Sequence, residues 1–148
     1  MRTTRLALLA AAALPLTFVP SAAHADKKAA DTCLRTKIWA GYDDGWAVRT
    51  ATTAELAEGE HKIYLVTLYA GHEYKFQVCG DKQASNVDLV LHDQDGKELA
   101  RDESSDREPT VTVKPQNTDT YYVAVYAQDL SDEAKNAKAG VAMAVTYR

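Results

Sequence analysis

The sequence predicts a mainly β protein, an antiparallel, jelly-roll-like β-sandwich of about eight strands with an N-terminal helix tied on by a disulfide. Beyond Trp46, β-branched and aromatic residues alternate with polar ones at a period of two, which is typical of half-buried strands. Turn-forming Gly, Asp and Asn residues interrupt this alternation at short intervals. The chain also carries an even pair of cysteines, Cys33 and Cys79, the minimum for one disulfide.

The first 25 residues have the features of an export signal. Two arginines precede an apolar run that is too short to span a membrane comfortably. The tripeptide Ala-His-Ala at 23–25 has the small-residue spacing at which signal peptidases cleave. We therefore expect a signal peptide over residues 1–25 and a single domain over residues 26–148. This mature domain is expected to be exported, to a periplasm or out of the cell, and to lack a membrane span.

The charge of the mature chain excludes two classes of partner. The sequence has 17 Lys and Arg against 21 Asp and Glu, and the signal peptide contains two of the arginines and no acidic residue. Cleavage thus leaves 15 basic and 21 acidic side chains, a net charge of −6. An acidic chain without a basic run is a poor ligand for phosphate-rich surfaces. We expect neither nucleic acid nor an anionic membrane as its partner.

A helix is predicted in the N-terminal part of the mature chain. Apolar residues recur four apart from residue 32 onward, and Asp31 or Thr32 can cap the start. Gly41 and the following Asp-Asp-Gly cluster are expected to end the helix, whereas residues 26–30 are expected to be loose. Residues 26–46 would form a helical cap on a sandwich built from 47–148, with Trp39 burying the helix against a sheet.

Eight strands are predicted beyond this cap. Their expected bounds are 47–56, 62–69, 73–79, 87–92, 97–101, 109–114, 120–127 and 140–147. One polar, alanine-containing interruption, residues 129–139, is compatible either with a turn or two of helix or with a loop.

Strand parity predicts where the disulfide lies. In an oxidising compartment Cys33 and Cys79 are expected to pair with each other. The alternative is a reactive or metal-binding thiol pair, and the sequence has no CxxC motif to support it. If Tyr74, Phe76 and Val78 face the core, Cys79 points to the opposite face of its sheet. The bond would then hold the helix over an outer sheet surface or across a sheet edge.

Three motifs resemble those of bacterial pre-peptidase C-terminal domains. Residues 69–76, YAGHEYKF, are similar to a strand entry of that family, and residues 87–96, VDLVLHDQDG, to its hairpin. Residues 119–125, DTYYVAV, match a third motif, with Asp119 where glycine is usual. The resemblance covers roughly residues 55–147 and implies a small jelly-roll-like accessory module found beside exported enzymes. We expect the module to stand alone here, without an enzyme beside it, and the helix with Cys33 is additional to the family pattern.

The hairpin at residues 93–96 raises the question of a calcium site. An EF-hand register with Gly96 at position 6 places Leu91 at position 1, where an oxygen ligand is required. A tight turn over Gln94 and Asp95 with Gly96 in the left-handed region explains the sequence better. Calcium remains an alternative in another geometry, and its ligands would be Asp93, Asp95 and Asp102.

Aromatic residues are the other candidate for a binding surface. Tyr122 and Tyr126 share one face of a strand, while Tyr121 faces the other way, and Trp46 follows the helix. These residues could form a platform for a protein, peptide or glycan, or instead bury the helix and anchor a strand corner.

The predicted function is therefore that of an exported, non-catalytic binding or accessory module without a cofactor. A calcium-stabilised structural or envelope-associated protein is the alternative. A hydrolase is a third possibility that no nucleophile motif supports, because the serines lack the glycine spacing of a nucleophile elbow.

Overall fold

A computed structural model of the protein describes residues 24–135 and 137–148. Positions 1–23 of the predicted signal peptide thus lie outside the described residues. The elements are α1 (Lys27–Ala40), a 3₁₀ turn (Tyr42–Asp44), β1 (Ala47–Leu56), β2 (His61–Leu68), β3 (Tyr74–Gly80), β4 (Ala84–His92), β5 (Glu98–Asp102), β6 (Thr110–Val113), β7 (Asp119–Leu130) and β8 (Ala139–Tyr147). Within the described ranges, no helix has the length and apolar content needed to cross a bilayer.

The strands form two four-stranded antiparallel sheets, which confirms the predicted β-sandwich. Sheet A has the order β1-β8-β3-β6, and sheet B has the order β2-β7-β4-β5. Alternate residues from both sheets meet in one apolar core, which includes Leu68, Phe76, Leu89, Val123 and Val145. Each strand therefore has one face toward the core and one outer face.

The predicted strand bounds hold to within one residue except on two neighbouring strands. β4 begins at Ala84 and β7 extends to Leu130, because these residues pair with each other beyond two bulges. The segment that could have been helix or loop therefore begins as strand. Its described remainder, 131–135 and 137–138, consists of turns and bends without helix.

The helix begins earlier than the sequence predicted. α1 starts at Lys27, and the side chain of Asp26 caps it by accepting a hydrogen bond from the backbone N of Ala29 at 2.9 Å. The expectation of a loose segment at 26–30 is wrong because Ala30 is fully buried against sheet A. Burial of this first turn and the Asp26 cap stabilise helix where composition alone indicated an exposed terminus.

The helix covers the outer face of sheet A, as strand parity predicted. Leu34 of α1 packs on Ala142 and Ala144 of β8, whose small side chains let the helix approach the sheet. Cys79 points away from the core onto this outer face, and its bond to Cys33 joins Cα atoms 6.0 Å apart. The predicted disulfide and its architectural position are both confirmed.

Candidate functional site

The outer face of sheet B is organised in three cross-strand rows, and we refer to these residues as the open face. From β2 across β7 to β4 and β5, the register gives the rows His61–Tyr126–Asp88, Ile63–Ala124–Val90–Arg101 and Leu65–Tyr122–His92–Glu98. The described helix, α1, packs on sheet A and not on this face. The outer face of sheet A is therefore covered by α1, whereas the outer face of sheet B is not.

The open face exposes large apolar side chains along its β2 side. Leu65 is 66% exposed and Ile63 is 51% exposed, both on the edge strand β2. Tyr122 and Tyr126 are half-buried beside them, and the His61 ring lies 5.0 Å from the Tyr126 ring. The structure thus brings the two tyrosines predicted from the sequence onto one surface. Ala124 between them is buried.

Sequence reasoning missed Ile63 and Leu65, although β2 carried a signal for them. Its sequence HKIYLVTL is apolar on both faces, since Ile63 and Leu65 alternate with Tyr64, Val66 and Leu68. The latter three belong to or pack against the core. A strand that is apolar on both faces but lies at a sheet edge has more apolar surface than the core uses.

Asp88 lies in a groove of about 230 Å³ at one side of the open face. Its Oδ1 atom is sealed from solvent and receives no hydrogen bond from residues 24–135 or 137–148. Burial, and then the negative charge of Glu103, raise the pKa of the Asp88 carboxyl above its ordinary value. Arg101 opposes this shift only in part, because its guanidinium is bonded to Glu98 and Glu103. The groove thus contains an acceptor without a donor.

Trp46 does not belong to an exposed surface, which corrects its assignment as a partner-binding residue. It is 7% exposed and lies between two cations, with Lys75 Nζ 4.0 Å and Arg148 Cζ 4.5 Å from its ring centroid. The turn at Gly41 returns the chain onto sheet A after the helix, and a Cβ atom at Gly41 would lie 3.3 Å from the indole. Trp46 therefore joins the helix exit to the sheet and the C-terminus.

Trp39, in contrast to Trp46, is exposed although the sequence predicted that it would be buried. The sequence analysis expected it to bury the helix, but its side chain is 70% exposed. It contacts Tyr42, itself 65% exposed, with ring centroids 5.7 Å apart. Ile38 and Leu34 face the sheet instead, so Trp39 falls on the solvent side of α1.

The hairpin between β4 and β5 is the tight turn that its sequence predicted. The Gly96 backbone N donates to the Asp93 carbonyl at 3.1 Å, and Gly96 has a φ of 80°. The Asp93 side chain accepts hydrogen bonds from the backbone N of Asp95 at 3.0 Å and of Lys97 at 2.8 Å. One carboxylate oxygen of Asp93 is therefore already used to hold the turn.

Asp102 lies at the far end of this hairpin from Asp93 and Asp95. It pairs with Leu89 in the register of β4 and β5, and its carboxylate receives Ser104 Oγ at 2.6 Å and the Thr110 backbone N at 2.8 Å. Burial favours its neutral form, but these hydrogen bonds outweigh burial and lower the pKa of Asp102. The structure does not bring the three carboxylates together, and the absence of a cofactor, with calcium as the alternative, stays a prediction.

A larger cleft of about 430 Å³ opens beside the same hairpin, at one end of the sandwich. Asp93, Asp95 and Asp119 line it together with Tyr121. Burial, followed by the charges of Asp119 and Asp93, raises the pKa of the Tyr121 hydroxyl. That hydroxyl donates to the Asn117 carbonyl at 3.0 Å, so Tyr121 has the corner-anchoring role weighed for it in the sequence.

The histidines do not form a hydrolytic arrangement in the described part of the chain. His61 and His72 are exposed, and His92 is half-buried on the open face. The four serines within the described ranges, Ser85, Ser104, Ser105 and Ser131, include no buried member. A nucleophile activated by a base requires a serine held against a histidine, and no hydrogen bond joins the two residue types in residues 24–135 and 137–148.

Comparison with known proteins shows similarity of fold alone. No protein-family model matches the sequence, and no curated protein matches it significantly. Among solved structures, the chain is similar to Aeromonas hydrophila PliG, a periplasmic inhibitor of g-type lysozyme. The identity is 13% and the TM-score 0.48, over 71% of this chain and 90% of that one.

The chain is also similar to the pre-peptidase C-terminal domain of a Bacillus anthracis collagenase, which belongs to the family whose motifs the sequence resembles. Here the identity is 17% and the TM-score 0.46, over 66% of this chain and 89% of that one. Similarity at this level transfers no function from either protein.

Proposed function

We propose that this chain is an exported, non-catalytic module that binds a protein partner through the open face. The observation that supports this proposal is the difference between the two outer faces of the sandwich. The helix covers sheet A, whereas sheet B presents Ile63, Leu65 and Tyr122 to solvent. Adjacent large apolar side chains on an otherwise polar surface are typical of interaction sites.

The chemistry of the open face favours a protein over a glycan. Its exposed large apolar side chains are the aliphatic Leu65 and Ile63, whereas sugar rings stack on exposed aromatic rings. Tyr122 and Tyr126 are half-buried by their neighbours. Charged residues lie toward the β5 side, so the apolar residues near β2 are bordered by polar ones, and protein–protein interfaces combine the two kinds of surface in this way.

Asp88 specifies one further property of the partner. Its carboxyl group lines the groove beside Tyr126 and the apolar side chains, while its Oδ1 atom faces inward and lacks a donor. A partner can therefore reach this carboxyl group only from the groove side, where a positive charge would favour the ionised form that burial disfavours. We therefore propose that the partner places a lysine or an arginine over this groove, next to apolar residues.

Binding measurements with matched variants test this function. The immobilised mature protein captures exported proteins of its source cell, and each captured protein is then purified and titrated against wild type, Leu65→Asp and Thr112→Asp. Thr112 is an exposed position on an edge strand of sheet A, so it receives the same charge in a comparable place. We expect a partner with unchanged affinity for Thr112→Asp and at least about tenfold lower affinity for Leu65→Asp.

A partner that binds all three proteins equally would contradict the proposal. So would a partner whose binding disappears only on Trp39→Ala, since this result would place the site at the exposed Trp39–Tyr42 pair at the end of α1.

A further inference from the structure

The buried carboxylate of Asp81 lies beneath the start of α1. Its side chain accepts hydrogen bonds from four backbone N–H groups, those of Gln83 at 2.9 Å, Ala84 at 3.3 Å, Gly140 at 2.9 Å and Asp26 at 2.6 Å. Asp81 is 2% exposed, the most deeply buried acidic residue of the described chain. The Asp26 nitrogen makes the shortest of the four contacts.

No cationic side chain of residues 24–135 and 137–148 forms a salt bridge with Asp81. Arg107 approaches it, but its Nη1 donates to the backbone carbonyl of Asp81 and not to the carboxylate. Burying a carboxylate without a countercharge is costly, even when backbone hydrogen bonds compensate in part. The environment of Asp81 therefore favours a positive charge at one of its four donor positions.

Only one of these donors can acquire a charge by a known kind of processing. The bond between Ala25 and Asp26 is the one that the Ala-His-Ala pattern marks for a signal peptidase. In its hydrolysis the C–N bond breaks, and water supplies the second oxygen of the Ala25 carboxylate. Both protons of that water are transferred to the Asp26 nitrogen, which becomes an –NH₃⁺ group. This is the nitrogen that already lies 2.6 Å from Asp81 Oδ2.

We propose that removal of the signal peptide creates an ion pair between the new α-ammonium group of Asp26 and the buried carboxylate of Asp81. This proposal concerns maturation of the fold and rests on the predicted cleavage, not on the proposed binding function. The pair would lock the first turn of α1 to the start of β8, so the mature chain is more stable than one with a residue before Asp26. Processing is then a stabilising modification as well as a targeting step.

The surrounding structure holds the Asp26 nitrogen in place without any rearrangement. A Cβ atom at Gly140 would lie 2.6 Å from the Asp26 carbonyl carbon and 2.7 Å from the Lys27 nitrogen, so the chain passes directly over this glycine. The Asp26 side chain continues to cap α1 through Ala29. His24 is exposed and Ala25 only half-buried. Cleavage removes the hydrogen bond that Gln83 Nε2 donates to the His24 carbonyl at 3.0 Å, and it leaves the Asp26 cap intact.

The first test is the processing site itself. The full chain is produced in a bacterium that exports it, and intact-mass analysis of the exported product gives its first residue. We expect a product that begins at Asp26. A mature protein that begins at any other residue would overturn the proposal, because its α-ammonium group would not coincide with the nitrogen beside Asp81.

The second test measures the ion pair in the processed protein. Residues 26–148, which contain α1, both sheets and both cysteines, are compared with the same chain carrying one additional N-terminal alanine. We expect the chain that begins at Asp26 to melt about 3–6 °C higher. Asp81→Asn, which keeps the shape and the oxygen acceptor, should abolish this difference. Equal melting temperatures, or a difference that survives Asp81→Asn, would refute the ion pair.

A third measurement covers the case in which Asp81→Asn does not fold. The α-amine of the folded chain that begins at Asp26 is labelled with an amine-reactive reagent, and its rate is compared with that of the alanine-extended chain. Because a paired and partly buried α-ammonium group is protected, we expect a rate at least about tenfold lower, and equal rates would overturn the proposal.

Discussion

Leu65 of β2 lies directly opposite Tyr122 of β7 in the antiparallel register, and both side chains point away from the core. Cross-strand neighbours of this kind have Cβ atoms about 5 Å apart, so the two side chains form one continuous surface. Ile63 extends this surface one row further, opposite Ala124. An edge strand in a soluble protein usually carries polar or charged residues at such positions. The apolar pair therefore indicates a surface shaped for contact with another molecule.

The disulfide is expected to be a major contribution to stability. Its cysteines are 46 positions apart, and closing a loop of this length in the unfolded chain is worth about 4 kcal/mol in the chain-entropy model. Reduction should therefore lower the free energy of unfolding by an amount of this order in urea denaturation. The Cys33→Ser/Cys79→Ser double variant serves as the control, because the reductant should not affect it. A wild-type midpoint that does not respond to reductant would contradict this expectation.

Truncation of the two tryptophans is expected to lower the free energy of unfolding by very different amounts. Trp46→Ala removes a buried ring held between Lys75 and Arg148, and we expect a loss of about 3 kcal/mol. Trp39→Ala removes a largely exposed ring of the same size, and we expect a change within about 0.5 kcal/mol. Chemical denaturation of both variants measures the contrast. Equal losses would contradict the burial that distinguishes the two residues.

Asp88→Asn is expected to change stability in a pH-dependent manner. Because the pKa of Asp88 is raised above 3.8 in the folded protein, its ionisation disfavours folding, and stability falls as pH rises from 3.8 through the folded value. The variant lacks this loss. We expect it to be more stable than wild type at pH 7 and to lose that advantage as the pH falls below 3.8. Denaturation at pH 7 and below pH 3.8 checks the sign, and a destabilised variant at pH 7 would contradict it.

Calcium is expected to leave the stability of the protein unchanged. The carboxylates of Asp93 and Asp102 already accept hydrogen bonds from their own loops, and they lie at opposite ends of the β4–β5 hairpin. A site filled at about 100 times its dissociation constant would add about 2.7 kcal/mol. A thermal melt in EDTA and then in millimolar calcium measures the difference. An upward shift of several degrees would establish a calcium site that the side-chain arrangement does not suggest.

Local sequence patterns predicted most of the fold, because the position and facing of each strand depend mainly on residues close to it in the sequence. Period-two alternation located the strands, and the alternation of Phe76, Val78 and Cys79 placed the disulfide on the outer side of sheet A. The start of α1 was not predictable in this way. Its first turn is stabilised by packing of Ala30 on β8, a strand more than 100 residues away in the chain.

The candidate site was predictable only in part. Parity placed Tyr122 and Tyr126 on one face of their strand, but it did not show which strands share a sheet, and the openness of that face depends on the pairing of β7 with β2 and β4. The two tryptophans also depend on tertiary packing, since the turn at Gly41 returns Trp46 to the sheet, whereas Trp39 lies on the side of α1 that faces solvent. Ile63 and Leu65 were missed because an apolar residue in a strand is ordinarily assigned to the core.

Site-specific photo-crosslinking in the exporting cell tests the proposed binding face most directly. A photoreactive amino acid replaces Leu65 in one version of the full chain and Thr112 in the other, and the crosslinked products are identified by mass spectrometry. We predict a defined crosslinked protein from position 65 and none from position 112. The same product from both positions, or a product from position 112 alone, would contradict binding through the outer face of sheet B.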